Sequence, residues 1–290
     1  SQAVKVGYTV YLAGQIGLGE KHDIGAEDLI LEHFRQRRFM VERSIGGALR
    51  TQARVIGALV IRDMHTRFGG SLVSYALAVA WPLTHLLIIL GVYLITGRDA
   101  SYGTDLLVWT VSGALPFILF YYPVRWISQS LAGNWNLVHF PVVKPIDLII
   151  ACAILEILTG AIVVIVMYAM ISINNGSFHI ARPILAVEAI GASLFLGISM
   201  GVFAAPFVKL NHGFAVATMM SCILMWVTGG IAFLPDSIPE PLHGYIAFNP
   251  FVHAAEWLRL GIFDDYRSET LDATYLLSFS SVALALGLII

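Results

Sequence analysis

Long apolar runs separated by short polar segments dominate the chain from about residue 72 onward. Each run holds roughly 20 residues, which is the helix length needed to cross about 30 Å of hydrocarbon. Such a pattern predicts an all-α polytopic membrane protein. The six expected transmembrane helices lie at 73–95, 106–128, 147–171, 184–206, 214–234 and 273–290.

The part before the first run mixes polar, charged and apolar positions, and it divides in two. We predict a cytoplasmic tail over residues 1–48, with a short charged helix at 26–43 and a loop at 14–19. Residues 49–71 then predict an amphipathic interface helix, which leads into a transmembrane domain at 72–290. At 100° per residue its apolar face comprises Ala53, Ile56, Val60 and Met64. Its charged face comprises Arg50, Arg54, Arg62 and His65.

Two readings of this helix stay open from the sequence. It can be an anchor in the headgroup plane, or a lever that a cytoplasmic motor pushes. Asp63 and Arg67 stand at i,i+4, a spacing that predicts an ion pair on its surface.

Composition supports the membrane assignment. Hydrophobic residues make up 58% of the 290 residues and charged residues 12%, with a mean hydropathy of +0.78. Average soluble domains hold about 25% charged residues. The net charge of −2 gives no indication of nucleic-acid binding.

The basic residues indicate the orientation in the membrane. Ten of the 17 Lys and Arg precede residue 72, and positive charge favours the cytoplasmic side. The amino terminus is therefore expected in the cytoplasm, and an even number of spans returns the carboxyl terminus there. The long loop at 235–272 is expected outside.

The loop Leu131–Asp147 is expected at the cytoplasmic face, where Pro141 and Pro145 stiffen it. A stiff loop can be a plain turn, or it can transmit a push from a soluble partner. Lys144 and Asp147 are its candidate contact residues.

The outer loop contains a helix too short to span the membrane. Asn249 suits the N-cap and Pro250 the first helical position, while Glu256 and Arg259 are spaced to pair at i,i+3. We expect a re-entrant or interfacial helix, acting either as a packed lid or as an outer gate.

Polar and aromatic residues within the spans mark a candidate path. Glu156 in the third span is costly in hydrocarbon, so we expect it to face a cavity or a partner helix. The aromatic residues near the end of the second span, Phe117, Phe120, Tyr121, Tyr122 and Trp126, form an interfacial belt or a wall on which sugars stack. Arg125 is an ionisable residue late in the same span.

Signals for chemistry within the chain are weak. No lysine follows a glycine, so a phosphate-binding P-loop is not predicted. Gly197–Gly201 matches the G-x-S-x-G pattern, but mid-span small residues more often permit close helix packing than present a nucleophile at Ser199. The histidines lack a metal-binding spacing, and no catalytic, cofactor or metal residue is predicted.

Three motifs together resemble the membrane subunit of ABC-2 type exporters. They are Arg62–Gly69 before the first span, Phe140–Asp147 in the inner loop, and Asn249–Phe251 in the outer loop. The inner loop is similar to that of the KpsM-like permeases, the capsular-polysaccharide branch. The resemblance covers the chain from about residue 50 onward.

The resemblance implies a permease in the bacterial inner membrane that moves a lipid-linked polysaccharide. Two such permeases would dock on two ATP-binding subunits, which would hold the ATP and magnesium. Periplasmic and outer-membrane export proteins would be further partners. Residues implied in coupling to the ATPase are Arg54, Arg62, Asp63, Arg67, Lys144 and Asp147. Residues implied in the path or gate are Tyr121, Tyr122, Arg125, Trp126, Glu156, Asn249, Glu256 and Arg259.

Three alternatives remain at this stage. An exporter of O-antigen or teichoic-acid glycan would share the mechanism. An ion-coupled secondary transporter would predict inverted repeats, which are not evident. An intramembrane enzyme would rest on Ser199 alone.

Overall fold

The computed structural model describes residues 2–6, 9–13, 45–69, 72–97, 99–103, 105–175, 178–239 and 241–290. The chain divides into two compact units, 1–51 and 52–290. The loop and the charged helix predicted at 14–19 and 26–43 lie outside the described residues.

The first unit contains a short antiparallel hairpin, and the rest of the described chain is helical, in agreement with the all-α prediction. The strands of the hairpin are β1 (Gln2–Val6) and β2 (Thr9–Ala13), with Val4 paired to Tyr11. The strands are rich in β-branched residues, Val4, Val6, Thr9 and Val10, and the run is too short to stand out beside the long spans.

Helices make up nearly all of the remaining described structure. They are α1 (Ile45–Phe68), α2 (Leu72–Thr96), α3 (Leu106–Asn134), α4 (Pro145–Asn175), α5 (Pro183–Leu210), α6 (Gly213–Val227), α7 (Leu242–Ala247), α8 (Pro250–Ile262) and α9 (Ala273–Ile289). Short 3₁₀ helices occupy Trp135–His139 and Pro235–Ser237.

Each of the six apolar runs forms a helix at its predicted place, although their lengths differ. Within the described segments, three helices are long and apolar enough to cross a membrane: Leu106–His139, Pro145–Asn174 and Pro183–Leu210. Two further apolar helices are shorter, Gly213–Val227 and Ala273–Ile289, and the part Ala80–Thr96 of α2 is apolar as well.

The fifth run departs most from its prediction. Helix α6 ends at Val227 rather than at residue 234, because Thr228 caps it and Gly230 adopts a left-handed φ of 68°. Its 15 residues rise about 22 Å, less than the hydrocarbon thickness. Beyond Val227 the apolar run continues as irregular backbone up to the 3₁₀ helix at Pro235.

Helix α3 is the centre of the packed bundle. It packs against α2, α4, α5, α6 and α8, and its side chains are buried along most of its length. Helix α5 forms the main contact with α3 and also packs against α8 and α9. Because α3 is covered on almost every side, the exposed large apolar side chains lie mostly on α2, α4, α6 and α9.

Glycines explain the close approach of α3 and α5. A Cβ atom at Gly197 would stand 2.5 Å from the Phe120 carbonyl oxygen, and one at Gly201 would stand 2.8 Å from the Ile127 Cβ. The G-x-S-x-G pattern is thus a packing seam of the kind that small residues provide between helices in lipid.

Candidate functional site

Helix α1 docks on the ends of α3 and α4 that flank the predicted inner loop. Leu59 is buried in one apolar cluster with Ile127 and Leu131 of α3 and Leu148 of α4. The predicted apolar face is right for Ile56 and Val60, which pack against this cluster. It is wrong for Ala53, which is exposed, because the buried face is rotated toward Leu59.

Asp147 links α1 to the inner loop. Its carboxylate is fully buried and accepts hydrogen bonds from the Gln52 side-chain amide and from the Lys144 backbone N–H, the latter at 2.9 Å. The loop itself is closed by backbone hydrogen bonds, including Val143 N–H to the Phe140 carbonyl at 2.9 Å. Helix α1 and the loop are therefore bonded as one piece.

Arg62 makes a second link between α1 and the start of the loop. Its guanidinium donates to the Asn134 side-chain oxygen at the end of α3 and pairs with Asp63 at 2.5 Å. Asp63 is buried and pairs with its neighbour, so the i,i+4 pair predicted with Arg67 is wrong. Arg67 turns toward α4 instead.

Arg67 forms the deepest polar contact of α1. Its guanidinium meets Glu156 Oε1 at 2.5 Å and Cys152 Sγ at 2.9 Å, and it lies 4.2 Å from the Trp126 ring centroid. The Glu156 side chain is only 4% exposed, so its charge is compensated by a partner from another helix. Arg125 also lies near the Trp126 ring, at 5.6 Å.

Glu156 thus faces a helix of its own chain. The prediction that it faces a cavity or a partner helix is compatible with this position, since it also borders a small apolar space between α3 and α4. Cys152 was not singled out from the sequence. Its signal was its i,i+4 spacing from Glu156, which places both side chains on one face of α4.

The loop presents both charge and apolar surface to the outside of the bundle. Lys144 and Arg54 are exposed, and so are Phe140 and Val142, at 58% and 59%. Lys209 at the end of α5 lies 3.0 Å from the Trp135 ring centroid, a cation–π contact that sequence spacing did not reveal. Exposed apolar patches on protein surfaces commonly mark interaction sites.

Tyr121 and Tyr122 pack between α2 and α3. Tyr122 is buried, and its hydroxyl lies 3.3 Å from His85 Nδ1. The rings of Tyr121 and Tyr122 meet edge to face with centroids 5.4 Å apart, and Phe117 stacks on Tyr121 at 5.3 Å. In one copy of the chain these tyrosines hold α2 against α3.

A groove of about 290 Å³ lies between α2 and the end of α6. Its walls are apolar apart from Tyr93 and Thr96. Ile88, Val92, Trp226 and Phe233 supply most of the apolar lining.

Helix α8 is buried as a short helix against α3, α5 and α9. The predicted N-cap is present: Asn249 Oδ1 accepts the Phe251 backbone N–H at 3.0 Å. The Asn249 amide nitrogen also donates to the Met225 carbonyl and to Thr228 Oγ1, both at 2.9 Å. One side chain thus begins α8 and ends α6.

The pair at i,i+3 is present and deeply buried. Arg259 Nη1 donates to Glu256 Oε1 at 2.8 Å, and neither side chain has measurable exposure. The second Glu256 oxygen accepts the Tyr266 hydroxyl at 2.7 Å. Every carboxylate oxygen of this buried glutamate therefore has a donor, as a buried charge requires.

Arg259 also binds the irregular backbone after α6. Its Nη2 donates to the Gly230 carbonyl at 2.6 Å, and its guanidinium carbon lies 4.0 Å from the Trp109 ring centroid. Since unpaired carbonyls are costly in hydrocarbon, this contact allows α6 to stop short within the bundle.

The loop outside α8 is closed by an Asp236 clasp, which joins the residues before α7 to those before α9. Asp236 accepts the Thr270 hydroxyl and the backbone N–H groups of Glu269 and Thr270, at 3.0 and 3.1 Å for the latter two. Partial burial opposes ionisation, but these hydrogen bonds, with His243 nearby, lower the pKa of Asp236 below its ordinary value. The hydrogen bonds of the clasp therefore stabilise the ionised form of Asp236.

The described structure thus combines long apolar helices with a helix docked on a stiff loop and a short buried helix, as in a polytopic membrane protein. Comparison with known proteins confirms the resemblance to KpsM-like inner-membrane permeases. The chain is 29% identical over 236 residues to "Polysialic acid transport protein KpsM" of Escherichia coli, covering 80% of this chain and 90% of that one.

Two further relatives carry similar names. "Capsule polysaccharide export inner-membrane protein CtrC" of Neisseria meningitidis serogroup A is 26% identical over 249 residues, 83% of this chain and 91% of that one. "Capsule polysaccharide export inner-membrane protein BexB" of Haemophilus influenzae is 22% identical over 226 residues, 75% and 82% of the two chains. No protein-family model matches the chain.

Proposed function

We propose that this chain is the membrane-spanning permease subunit of an ATP-driven exporter of capsular polysaccharide in a bacterial inner membrane. The observation that carries the proposal is the bonding of α1 and the inner loop into one piece through Asp147 and Arg62. The names of the relatives support the polysaccharide as cargo. In this proposal the six apolar helices all cross the bilayer, and the amino terminus lies in the cytoplasm.

The energy for transport would come from another subunit. None of the four lysines follows a glycine, so the chain lacks the P-loop that binds nucleotide phosphates. Two ATP-binding subunits would carry ATP and magnesium and would pair with two copies of the permease. The chain itself would form no covalent bond with its cargo.

The inner loop is suited to receive a push from such a partner. Phe140 and Val142 offer an exposed apolar tip, and Lys144 places a cation beside it. Since the loop is closed by its own hydrogen bonds, displacement of the tip would move it as a unit rather than deform it.

The push would then reach the spans through the contacts of α1. Motion of the loop would move α1 through the hydrogen bond between Asp147 and Gln52. Helix α1 would in turn move α4 and α3 through the contacts of Arg67 with Glu156 and Trp126. A tilt of α3 and α4 would change the contact of α3 with α2. The groove between α2 and α6 would line one side of the path, and a second copy would line the other.

A pull-down joined to a cargo assay tests the proposal. The tagged chain is purified in mild detergent, with expected recovery of a subunit that carries a P-loop and hydrolyses ATP. Cells lacking the chain should accumulate polysaccharide in the cytoplasm. Recovery of the chain without any ATPase, together with unchanged surface polysaccharide in the deletion strain, would overturn the proposal.

The exposed cation of the loop gives a sharper variant. Lys144→Glu should reduce export about tenfold, because reversal of a contact charge costs about 1.4 kcal/mol or more in partner binding. Lys144→Arg is the matched control and should retain export. Both proteins should reach the membrane in normal amounts, since Lys144 is exposed and its backbone N–H makes the hydrogen bond to Asp147. Normal export by Lys144→Glu would contradict the proposal that this loop contacts the ATP-binding subunit.

A further inference from the structure

Helix α7 carries an apolar stripe that no part of the described chain covers. Leu242, Tyr245 and Phe248 follow one another at a spacing of three, and they are 57%, 78% and 76% exposed. A spacing of three places side chains along one side of a helix. We call these three residues the α7 stripe.

The α7 stripe has an unusual composition for a water-facing surface. The segment Leu242–Phe248 contains no Lys, Arg, Asp or Glu. Residues on an external loop that faced only water would gain nothing from three large apolar side chains on one side. An apolar phase or an apolar partner is therefore expected to cover the stripe.

Ring contacts join the stripe to α9. The Phe248 and Tyr275 rings have centroids 6.3 Å apart, and the Tyr275 and Phe279 rings 6.2 Å apart. The Tyr275 hydroxyl donates to the Phe248 carbonyl at 2.7 Å. The stripe is thus continuous with one face of α9.

That face of α9 is the kind of surface that meets lipid. Val282 and Leu286, which share this face with Tyr275 and Phe279, are 59% and 45% exposed on an apolar helix of 17 residues. Tyr275 lies in the first turn of this helix, so the stripe stands level with its outer end. Tyrosine favours this depth, where acyl chains meet headgroups. Phenylalanine and leucine are typical of the inserted face of helices that lie in the interface.

We propose that α7 lies in the outer leaflet of the bilayer with its stripe inserted among the lipids, as a foot for the re-entrant α8. The mechanical link is short, because Phe248 is followed directly by Asn249, the cap of α8. His253 of α8 contacts the Ala247 carbonyl through Nε2 at 2.8 Å, which fixes the end of α7 to α8. The position of α8 therefore depends on the lipid surface as well as on the bundle.

This inference rests on the proposed topology, in which α9 faces lipid and the loop at 235–272 is external, and it does not depend on the cargo or on an ATPase. Fluorescence quenching in nanodiscs tests it. Tyr245→Cys is labelled with an environment-sensitive NBD maleimide and reconstituted with phosphatidylglycerol and phosphatidylethanolamine. Nitroxide lipids labelled near the headgroup or deep in the acyl chain quench from the membrane, and iodide quenches from water.

Two matched positions calibrate the measurement. Val282→Cys on the exposed face of α9 reports the hydrocarbon, and Asp265→Cys, exposed in the loop between α8 and α9, reports water. Both native cysteines are buried, so the unmodified protein measures the labelling background.

The expected result is stronger quenching of the Tyr245→Cys label by the shallow nitroxide than by the deep one, with iodide quenching well below that at Asp265→Cys. Its emission should also shift to shorter wavelength than at Asp265→Cys. Iodide quenching equal to that at Asp265→Cys would overturn the proposal and favour a water-facing glycan platform. Protection from both nitroxide and iodide would also overturn it, in favour of a second protein chain covering the stripe.

Discussion

Arg259 shows at the scale of one residue how a charge is kept inside this bundle. Its guanidinium meets a carboxylate, a backbone carbonyl and an aromatic face, from Glu256, Gly230 and Trp109. Each contact supplies electron density to a cation that lipid could not solvate. The Glu256–Arg259 pair joins α8 to α3 and to the segment after α6, so it has a structural role in addition to its proposed role at a gate.

Loss of one partner of this pair is expected to be costly. Arg259→Met should destabilise the protein by about 3–5 kcal/mol, because it leaves the Glu256 carboxylate buried with only the Tyr266 hydroxyl. The double variant Glu256→Gln with Arg259→Met should lose less than the two single losses combined. Thermal unfolding of the purified proteins in detergent measures the difference. Equal unfolding temperatures for Arg259→Met and the parent would contradict the prediction.

Ser199 and Gly197 separate packing from catalysis in the G-x-S-x-G segment. Ser199 is fully buried, and its Oγ makes no hydrogen bond within the described structure. Ser199→Ala should therefore keep normal stability and function, while Gly197→Val should prevent accumulation, since the Phe120 carbonyl oxygen leaves no room for a Cβ. Immunoblots of membranes and surface polysaccharide measure both. Loss of function in Ser199→Ala at a normal protein level would support the alternative in which Ser199 is the nucleophile of an intramembrane enzyme.

Sequence spacing predicted local partners at this scale and failed for distant ones. The Asn249 cap and the Glu256–Arg259 pair lie within four residues, so helical geometry dictates them. The contact of Arg67 with Glu156 joins residues 89 apart. This contact depends on how α1 packs on α4, which residue spacing within one helix does not predict. The i,i+4 spacing predicted Asp63 as the partner of Arg67, and that prediction was wrong.

At the scale of elements, the long apolar runs located the six long apolar helices but misjudged where α6 ends. The run at 214–234 is apolar throughout, whereas the helix stops where glycines permit a turn and Arg259 supplies donors to the freed carbonyls. Hydropathy records the phase that surrounds a segment, and a buried irregular segment is as apolar as a helix. Predicting the end of α6 therefore requires the position of Arg259 in α8.

The Asp236 clasp predicts an acid-sensitive outer loop. Its folded pKa is lowered, so the clasp stabilises the protein above the ordinary aspartate value of about 3.9 and loses that contribution as the pH falls through the lower folded value. Limited proteolysis after exposure to a series of pH values should show faster cleavage near the clasp at acid pH.

Asp236→Asn is the matched control for this pH dependence. It should cleave faster than the parent at neutral pH, because the charge-assisted hydrogen bonds are weakened, and it should change less between about pH 5 and pH 3. Parallel pH profiles for the two proteins would show that Asp236 is not the titrating group.

At the scale of the whole molecule, the inner loop and the outer loop should lie on opposite sides of the membrane. His139 is exposed in the inner loop and Asp265 in the outer loop. A membrane-impermeant maleimide should label Asp265→Cys in cells with a permeabilised outer membrane. It should label His139→Cys only after the inner membrane is opened. Labelling of both before that step would contradict the proposed topology.

Helix α6 has a consequence for the bilayer itself. In the proposed six-span arrangement, a helix that rises about 22 Å would meet hydrocarbon about 30 Å thick, so this side of the protein would be mismatched to an ordinary membrane. Lipids beside a short span thin locally, at a cost of a fraction of a kcal/mol for each ångström. The leaflet next to the α2–α6 groove should accordingly be drawn inward, which shortens the apolar barrier at the place where a polar chain would have to cross.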